Sequence, residues 1–138
     1  MKIEPYLMFD GNCAEAFAYY AQHLGGKIVH TMKYSEAPEG EGCGPEYGDK
    51  VMHSMIVIDG HGLMGSDAMS SYCPYEKPRG ISLALAPDSL AECERIFAAL
   101  SDGGEVQMPL EKTFWAFRFG TCTDKFGISW MVNLEKEG

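Results

Sequence analysis

The spacing of apolar positions predicts two amphipathic helices set among short strands. Between Asn12 and Leu24, the residues Cys13, Ala16, Phe17, Tyr20, Ala21 and Leu24 recur at i, i+3, i+4, i+7, i+8 and i+11, which is one helical face. Asn12 is a fitting N-cap, and Glu15 three residues later completes a capping-box pattern. Gly25-Gly26 stops the helix, because glycine accepts the left-handed conformation at a helix end. A second helix is predicted from Ser89 to about Asp102. Ser89 and Glu92 repeat the capping box, Leu90, Cys93, Ile96, Phe97 and Leu100 form the stripe, and Gly103-Gly104 ends it.

The remainder reads as strands over Ile3–Phe9, Lys27–Tyr34, Val51–Ile58, Gly62–Ser66, Gly80–Ala86, Glu105–Met108, Ala116–Thr123 and Ile128–Leu134. Asp59-Gly60-His61-Gly62 and Asp124-Lys125-Phe126-Gly127 are turn signals between them. The pattern repeats. Asn12 and Ser89 lie 77 positions apart, and the glycine pairs at Gly25 and Gly103 lie 78 apart. Each half is strand, helix, then three strands, with repeat 1 over about residues 1–69 and repeat 2 over about 79–138. Two such βαβββ units are expected to pack as one α+β domain over residues 1–138, a cup-shaped mixed sheet with each helix covering an outer face. Ser35–Asp49, rich in Gly, Glu and Pro, reads as a mobile loop, and Ser70–Arg79 as the connection between halves.

Composition narrows the function classes. A chain of 138 residues, 46% apolar and 22% charged, has the make-up of one globular domain. Its formal charge of −9 repels phosphate backbones and anionic lipid, so no nucleic-acid or membrane partner is expected. No apolar run approaches the roughly 20 residues of a membrane helix, and the N-terminus reaches Gly11 too soon for a secretion signal. Cys13, Cys43, Cys73, Cys93 and Cys122 are odd in number and form no CxxC pair, which predicts reduced thiols and a cytoplasmic location.

Local motifs bring in a family. Thr113-Phe114-Trp115-Ala116-Phe117-Arg118-Phe119-Gly120 leads into Asp124-Lys125-Phe126-Gly127-Ile128-Ser129-Trp130, and the first half offers Pro5-Tyr6-Leu7-Met8-Phe9-Asp10-Gly11 and Leu24-Gly25-Gly26. With the tandem repeat, these segments resemble the PhnB-like branch of the vicinal oxygen chelate (glyoxalase/bleomycin resistance/dioxygenase) superfamily, often labelled 3-demethylubiquinone-9 3-methyltransferase-like. The resemblance implies the glyoxalase/bleomycin resistance fold and a homodimer. It also implies where a divalent metal would be held in metal-dependent relatives: at Pro5 or Tyr6, near Met64 or Gly65, at about Ser82 and at Met131. Methionine and serine cannot replace carboxylate and imidazole for Zn, Ni, Mn or Fe(II). No metal and no cofactor is therefore expected at that place.

Alternation assigns the lining. Ile128, Trp130 and Val132 suit a face under the helix, with Ser129, Met131 and Asn133 on the other; Ile81, Leu83 and Leu85 likewise leave Ser82, Ala84 and Ala86 free. Such a methionine-lined, small-polar surface suits a modest organic ligand. The expected contacts are Tyr6, His53, Ser82, Trp115, Arg118, Ser129 and Met131, with Trp115 offering an apolar plane and Arg118 a donor fork. His53, mid-strand, is either a hydrogen-bonded wall residue or a general base; His23 and His61 read as solvated.

Methyl transfer finds no support in the chain. A nucleotide-type cofactor wants a glycine-rich turn from a strand into a helix, and the one glycine-dense run, Gly40-Glu41-Gly42-Cys43-Gly44, leads to Pro45 and acids. The reading is a metal-free small-molecule binding or sequestering protein. The alternatives are a glyoxalase-like lyase or isomerase, with His53 as base or with a non-standard metal site, and a ligand-free dimeric scaffold.

Overall fold

The computed structural model describes residues 1–37, 47–68 and 74–136. Cys43, Cys73, the glycine-dense run 40–44 and parts of both connecting segments lie outside them. The chain divides into two compact units, Met1–Glu76 and Lys77–Gly138.

The first unit orders β1 (Tyr6–Phe9), α1 (Cys13–Leu24), β2 (Lys27–Lys33), β3 (Val51–Ile58) and β4 (His61–Asp67), with a 3-10 turn at Tyr34–Glu36. Its sheet runs β1-β4-β3-β2, with β1 parallel to β4 and the other two pairs antiparallel. The second unit repeats the plan with β5 (Leu83–Leu85), α2 (Leu90–Ser101), β6 (Glu105–Glu111), β7 (Arg118–Thr123) and β8 (Ser129–Leu134), in the order β5-β8-β7-β6. Again one pair is parallel and two are antiparallel. The βαβββ repeat expected from the spacing of the caps is thus present as two four-stranded mixed sheets, one to each unit.

Each helix lies on one face of its own sheet, because its apolar stripe has nowhere else to go. Cys13, Ala16, Phe17 and Tyr20 are fully buried, and so are Cys93 and Leu100. In both units an aromatic ring of the helix presses on a strand glycine. A Cβ at Gly65 would stand 2.9 Å from Phe17 Cζ, and one at Gly120 would stand 2.6 Å from Phe97. Neither position has room for a side chain. The alternation predicted for β8 is observed: Trp130 and Val132 are buried on the helix side, while Met131 is 39% exposed on the other.

Three expectations need correction. Asn12 makes no side-chain cap, although its carbonyl accepts from Ala16 at 2.9 Å. The cap of α1 comes instead from Asp67, whose Oδ1 accepts the Cys13 N–H at 2.8 Å. Ser89 does cap α2, accepting from the Glu92 N–H at 3.2 Å, but the Glu92 carboxylate turns to Arg95 rather than back to the cap. The strands β1 and β5 are shorter than the sequence pattern predicts, since Ile3 and Ile81 are 91% and 75% exposed and pack under no helix.

The turns follow their chemistry. Asp59 (φ 47°) and Gly60 (φ 81°) both adopt positive φ, the two-residue hairpin that an Asp-Gly pair favours. Between β7 and β8, the buried Asp124 carboxylate gathers the N–H groups of Phe126 and Ile128 and the indole N–H of Trp130, at 2.9, 3.0 and 2.7 Å. Pro109 is accommodated in β6 because that strand is a sheet edge, where a missing N–H costs no ladder bond. Among the described residues no helix is long and apolar enough to cross a membrane.

Candidate functional site

The register defines what each sheet presents on its helix-free face. In the first unit Tyr6, Met64, Met55 and His30 fall in one cross-strand row. Met8 and Ser66 share the next row on that face, as do His53 and Met32. Tyr6 is 46% exposed, and its hydroxyl lies 3.2 Å from His53 Nδ1. The His30 ring is centred 5.6 Å from that of His53, and Ser66 Oγ donates to the Met8 sulfur at 3.6 Å. Tyr6 and His53, both expected at the site, are therefore brought together.

In the second unit Ala84, Met131, Thr121 and Met108 form a row, with Ser129 and Thr123 on one side of it and Asn133 and Phe119 on the other. Ser82 is exposed just before β5. Ser129 and Met131 share this face as expected. Asn133 joins them, and its Oδ1 is buried with no hydrogen-bond partner among the described residues. The alternation of β8 placed Asn133 on this face, but nothing in the sequence showed that its amide oxygen would be left without a donor.

Trp115 and Arg118 are not brought together. Trp115, 49% exposed, packs edge-on against Phe119 with centroids 5.4 Å apart, and Phe114, 97% exposed, packs on Trp115 at 4.8 Å. Arg118 pairs with Leu134, which lies on the buried, helix-covered side of β8. Its guanidinium donates to the Phe117 carbonyl at 2.8 Å and stacks over the Phe117 ring at 4.3 Å. Strand alternation thus sends its donor fork away from Phe119 and Met131. Around Trp115 an open recess of about 390 Å³ is lined by Lys112–Phe117, Glu135 and Lys136. Thr113 and Ala116 hold it in shape: the Thr113 N–H donates to the Ala116 carbonyl, and the Ala116 N–H donates to Thr113 Oγ1, both at 3.0 Å.

His61 is exposed at the start of β4. His23, read from sequence as solvated, is half-buried against Tyr19 with ring centroids 4.2 Å apart. Three thiols are buried and protonated. Burial first and Asp67 second push Cys13 up to about 12, and burial with Asp124 pushes Cys122 up to about 11. Burial, with Glu94, also raises Cys93 against the opposing pull of Arg118. None of these three is an activated nucleophile. Among the described residues no group of three or more His, Cys, Asp or Glu side chains gathers to hold a metal ion.

Known proteins resemble the chain over nearly its whole length. The family model described as 3-demethylubiquinone-9 3-methyltransferase matches residues 1–133. Protein YjdN of Escherichia coli (strain K12) is 37% identical, over 99% of this chain and 97% of its own. The crystal structure of PA1353 from Pseudomonas aeruginosa is 47% identical, superposes with a TM-score of 0.90 and covers 99% of each chain. A putative 3-demethylubiquinone-9 3-methyltransferase, PhnB protein, from Bacillus cereus is 27% identical at a TM-score of 0.81, over 97% of this chain and 99% of that one. The fosfomycin resistance protein FosX of Listeria monocytogenes, solved with Mn(II), is 9% identical at a TM-score of 0.67, over 99% and 93%. That last likeness shows the fold alone.

Proposed function

The chain belongs to the PhnB-type 3-demethylubiquinone-9 3-methyltransferase family, with a glyoxalase/bleomycin resistance fold, and from that premise we propose that it binds a small organic molecule without a divalent metal. The observation that carries this reading is the pairing on β8 of a half-exposed Met131 with an unpaired, buried Asn133 Oδ1. A buried acceptor without a donor is costly, and a ligand N–H or O–H would satisfy it. Met131 and Met108 supply adaptable apolar surface, and Ser129, Thr121 and Thr123 supply hydroxyls around it. Ser82 and Trp115, in the same unit, are the further contacts proposed for that ligand, while Tyr6 and His53 stand together on the first unit's own sheet face. Arg118 takes part only if it leaves the Phe117 carbonyl.

The family's descriptive label does not carry methyl transfer to this chain. The turn from β1 into α1 holds a single glycine, Gly11, and Pro87-Asp88-Ser89 between β5 and α2 holds none. Neither offers the glycine-rich cradle a nucleotide-type cofactor wants. A second reading, a lyase or isomerase with His53 as general base, is favoured by the Tyr6–His53 contact at 3.2 Å. Homodimerisation and a cytoplasmic location belong to the proposal as well.

The test is a thermal-shift screen of apolar antibiotics and oxo-acids. A ligand selective for the native state raises Tm, by about 4 °C for each kcal/mol of binding linkage. Met131→Glu and Asn133→Ala should each abolish the shift. A shift unchanged in both variants would remove the site, and no shift across the screen would favour a scaffold. Stoichiometric Zn, Ni, Mn or Fe in protein purified without chelator would overturn the metal-free reading. Turnover of an oxo-acid that is lost in His53→Gln would favour the lyase or isomerase.

A further inference from the structure

The helix-free face of the first sheet carries a second arrangement, on β2 and β3. His30 and Met32 are two residues apart on β2, and His53 and Met55 are two apart on β3, so all four project from that face. The antiparallel register sets His30 opposite Met55 and Met32 opposite His53. The four side chains therefore form a checkerboard, imidazole beside thioether in both directions. Directly opposed Cβ atoms in such a ladder stand about 4.5–5.5 Å apart, within easy reach of unbranched methionine side chains. Met32, His53 and Met55 are half-buried, and His30 is exposed.

The two imidazoles occupy one diagonal, with centroids 5.6 Å apart and planes inclined by 46°. An imidazole nitrogen binds a transition-metal ion at about 2.0 Å, and its ring centre lies about 1.1 Å further out. Two rings on one ion with a nitrogen–metal–nitrogen angle near 120° are then centred about 5.4 Å apart. The observed separation is already close to that spacing. His53 directs Nδ1 to the Tyr6 hydroxyl and so leaves Nε2 available, the arrangement in which a ligating histidine has its other nitrogen held. Ser54 Oγ donates to the His30 carbonyl at 3.0 Å, which pins β2 to β3 beside the cluster.

Ligand type decides which ion fits. Two imidazoles and two thioethers make a soft set without carboxylate, which favours Cu(I) over Mg, Mn or Zn. We propose that His30, Met32, His53 and Met55 bind a soft monovalent cation, Cu(I), with Tyr6 positioning His53. The site uses different strands from the β8 pair of Met131 and Asn133 and does not depend on a ligand binding there; it shares Tyr6 and His53 with the lyase or isomerase reading.

The experiment is an anaerobic Cu(I) titration of the full chain against bicinchoninate, after accessible thiols have been alkylated under native conditions. Cys13, Cys93 and Cys122 are buried and escape both reagents. One equivalent of Cu(I) should be withheld from the competitor. Affinity should fall by about 100-fold in Met32→Leu/Met55→Leu, which conserves side-chain volume, and by about tenfold in Tyr6→Phe. Ag(I) should shift the methyl carbon signals of Met32 and Met55 in the wild-type protein, which decides the matter even where the double variant folds poorly. The proposal is overturned if the wild type withholds no Cu(I), if the folded double variant binds as tightly, or if Ag(I) leaves both methyl signals unmoved.

Discussion

The two units share an element order and a sheet order, yet they secure the start of their helices by different means. In the second unit the devices are local. Ser89 caps α2 from the adjoining position, and Asp124 ties residues two, four and six positions further on. In the first unit one carboxylate reaches across the fold. Asp67, at the end of β4, accepts the Cys13 N–H at the head of α1 and the Val51 N–H at the start of β3, both at 2.8 Å. Its own carbonyl accepts from the Tyr34 hydroxyl at 2.7 Å. Asp67 and Asp124 are 1% and 4% exposed, so each is held by hydrogen bonds that replace its hydration. The difference shows that one architecture can be locked by contacts between neighbours or by contacts 54 residues apart.

Removing the carboxylates breaks the comparison most severely. Asp124→Ala leaves three N–H donors without their acceptor, including the indole of the 2%-exposed Trp130, and should cost about 4 kcal/mol. Asp67→Ala orphans two backbone donors and should cost about 3 kcal/mol. Urea unfolding followed by tryptophan fluorescence measures both. If Asp67→Ala costs under about 1 kcal/mol, the long-range lock is not what holds α1 to its sheet.

This difference also explains what could be read from the amino-acid order. The helix stripes, the Asp59-Gly60 hairpin and the alternation of β8 all depend on neighbours within a few positions, and they appear as expected. The cap of α1 does not, because Asn12 looked sufficient and nothing local marks Asp67 as its replacement. The candidate site divides in the same way. The face of Ser129, Met131 and Asn133 was legible from alternation alone. The closeness of His30 to His53 was not, because it needs the pairing of β2 with β3 across residues 34–50. That Arg118 stands apart from Trp115 was hidden for the converse reason: Trp115 lies outside β7, so the two do not share an alternation.

Alkaline pH sharpens the comparison, because in each unit burial, and after it a neighbouring buried carboxylate, raises a thiol. An ordinary thiol ionises near 9.0, whereas Cys13 and Cys122 in the folded chain are held up to about 12 and about 11. A folded value raised above the unfolded one gives stability that is whole below pH 9.0 and is lost as pH rises toward the folded values. Each thiol should remove about 1.4 kcal/mol per pH unit above its unfolded value. From pH 9 to about 10.5 that is about 2 kcal/mol each. Cys13→Ala and Cys122→Ala lose some stability at neutral pH through packing, but each should flatten the alkaline slope of the urea midpoint. A slope unchanged in both would separate alkaline unfolding from these thiols.

The smallest effects discriminate best between the two modes of capping. Ser89→Ala removes the acceptor for the Glu92 N–H and should cost about 1 kcal/mol, the usual loss for a helix N-cap. Asn12→Ala removes a side chain that caps nothing and whose buried Oδ1 has no partner among the described residues, so stability should stay within about 0.5 kcal/mol of the wild type. By sequence pattern alone both residues are N-caps followed three positions later by glutamate, and equal costs would be expected. A loss near 1 kcal/mol at Asn12 would mean that its amide holds α1 in solution and that Asp67 is not its cap. A null result there, beside a clear loss at Ser89, assigns the head of α1 to β4 and makes the first helix dependent on the completed sheet beneath it.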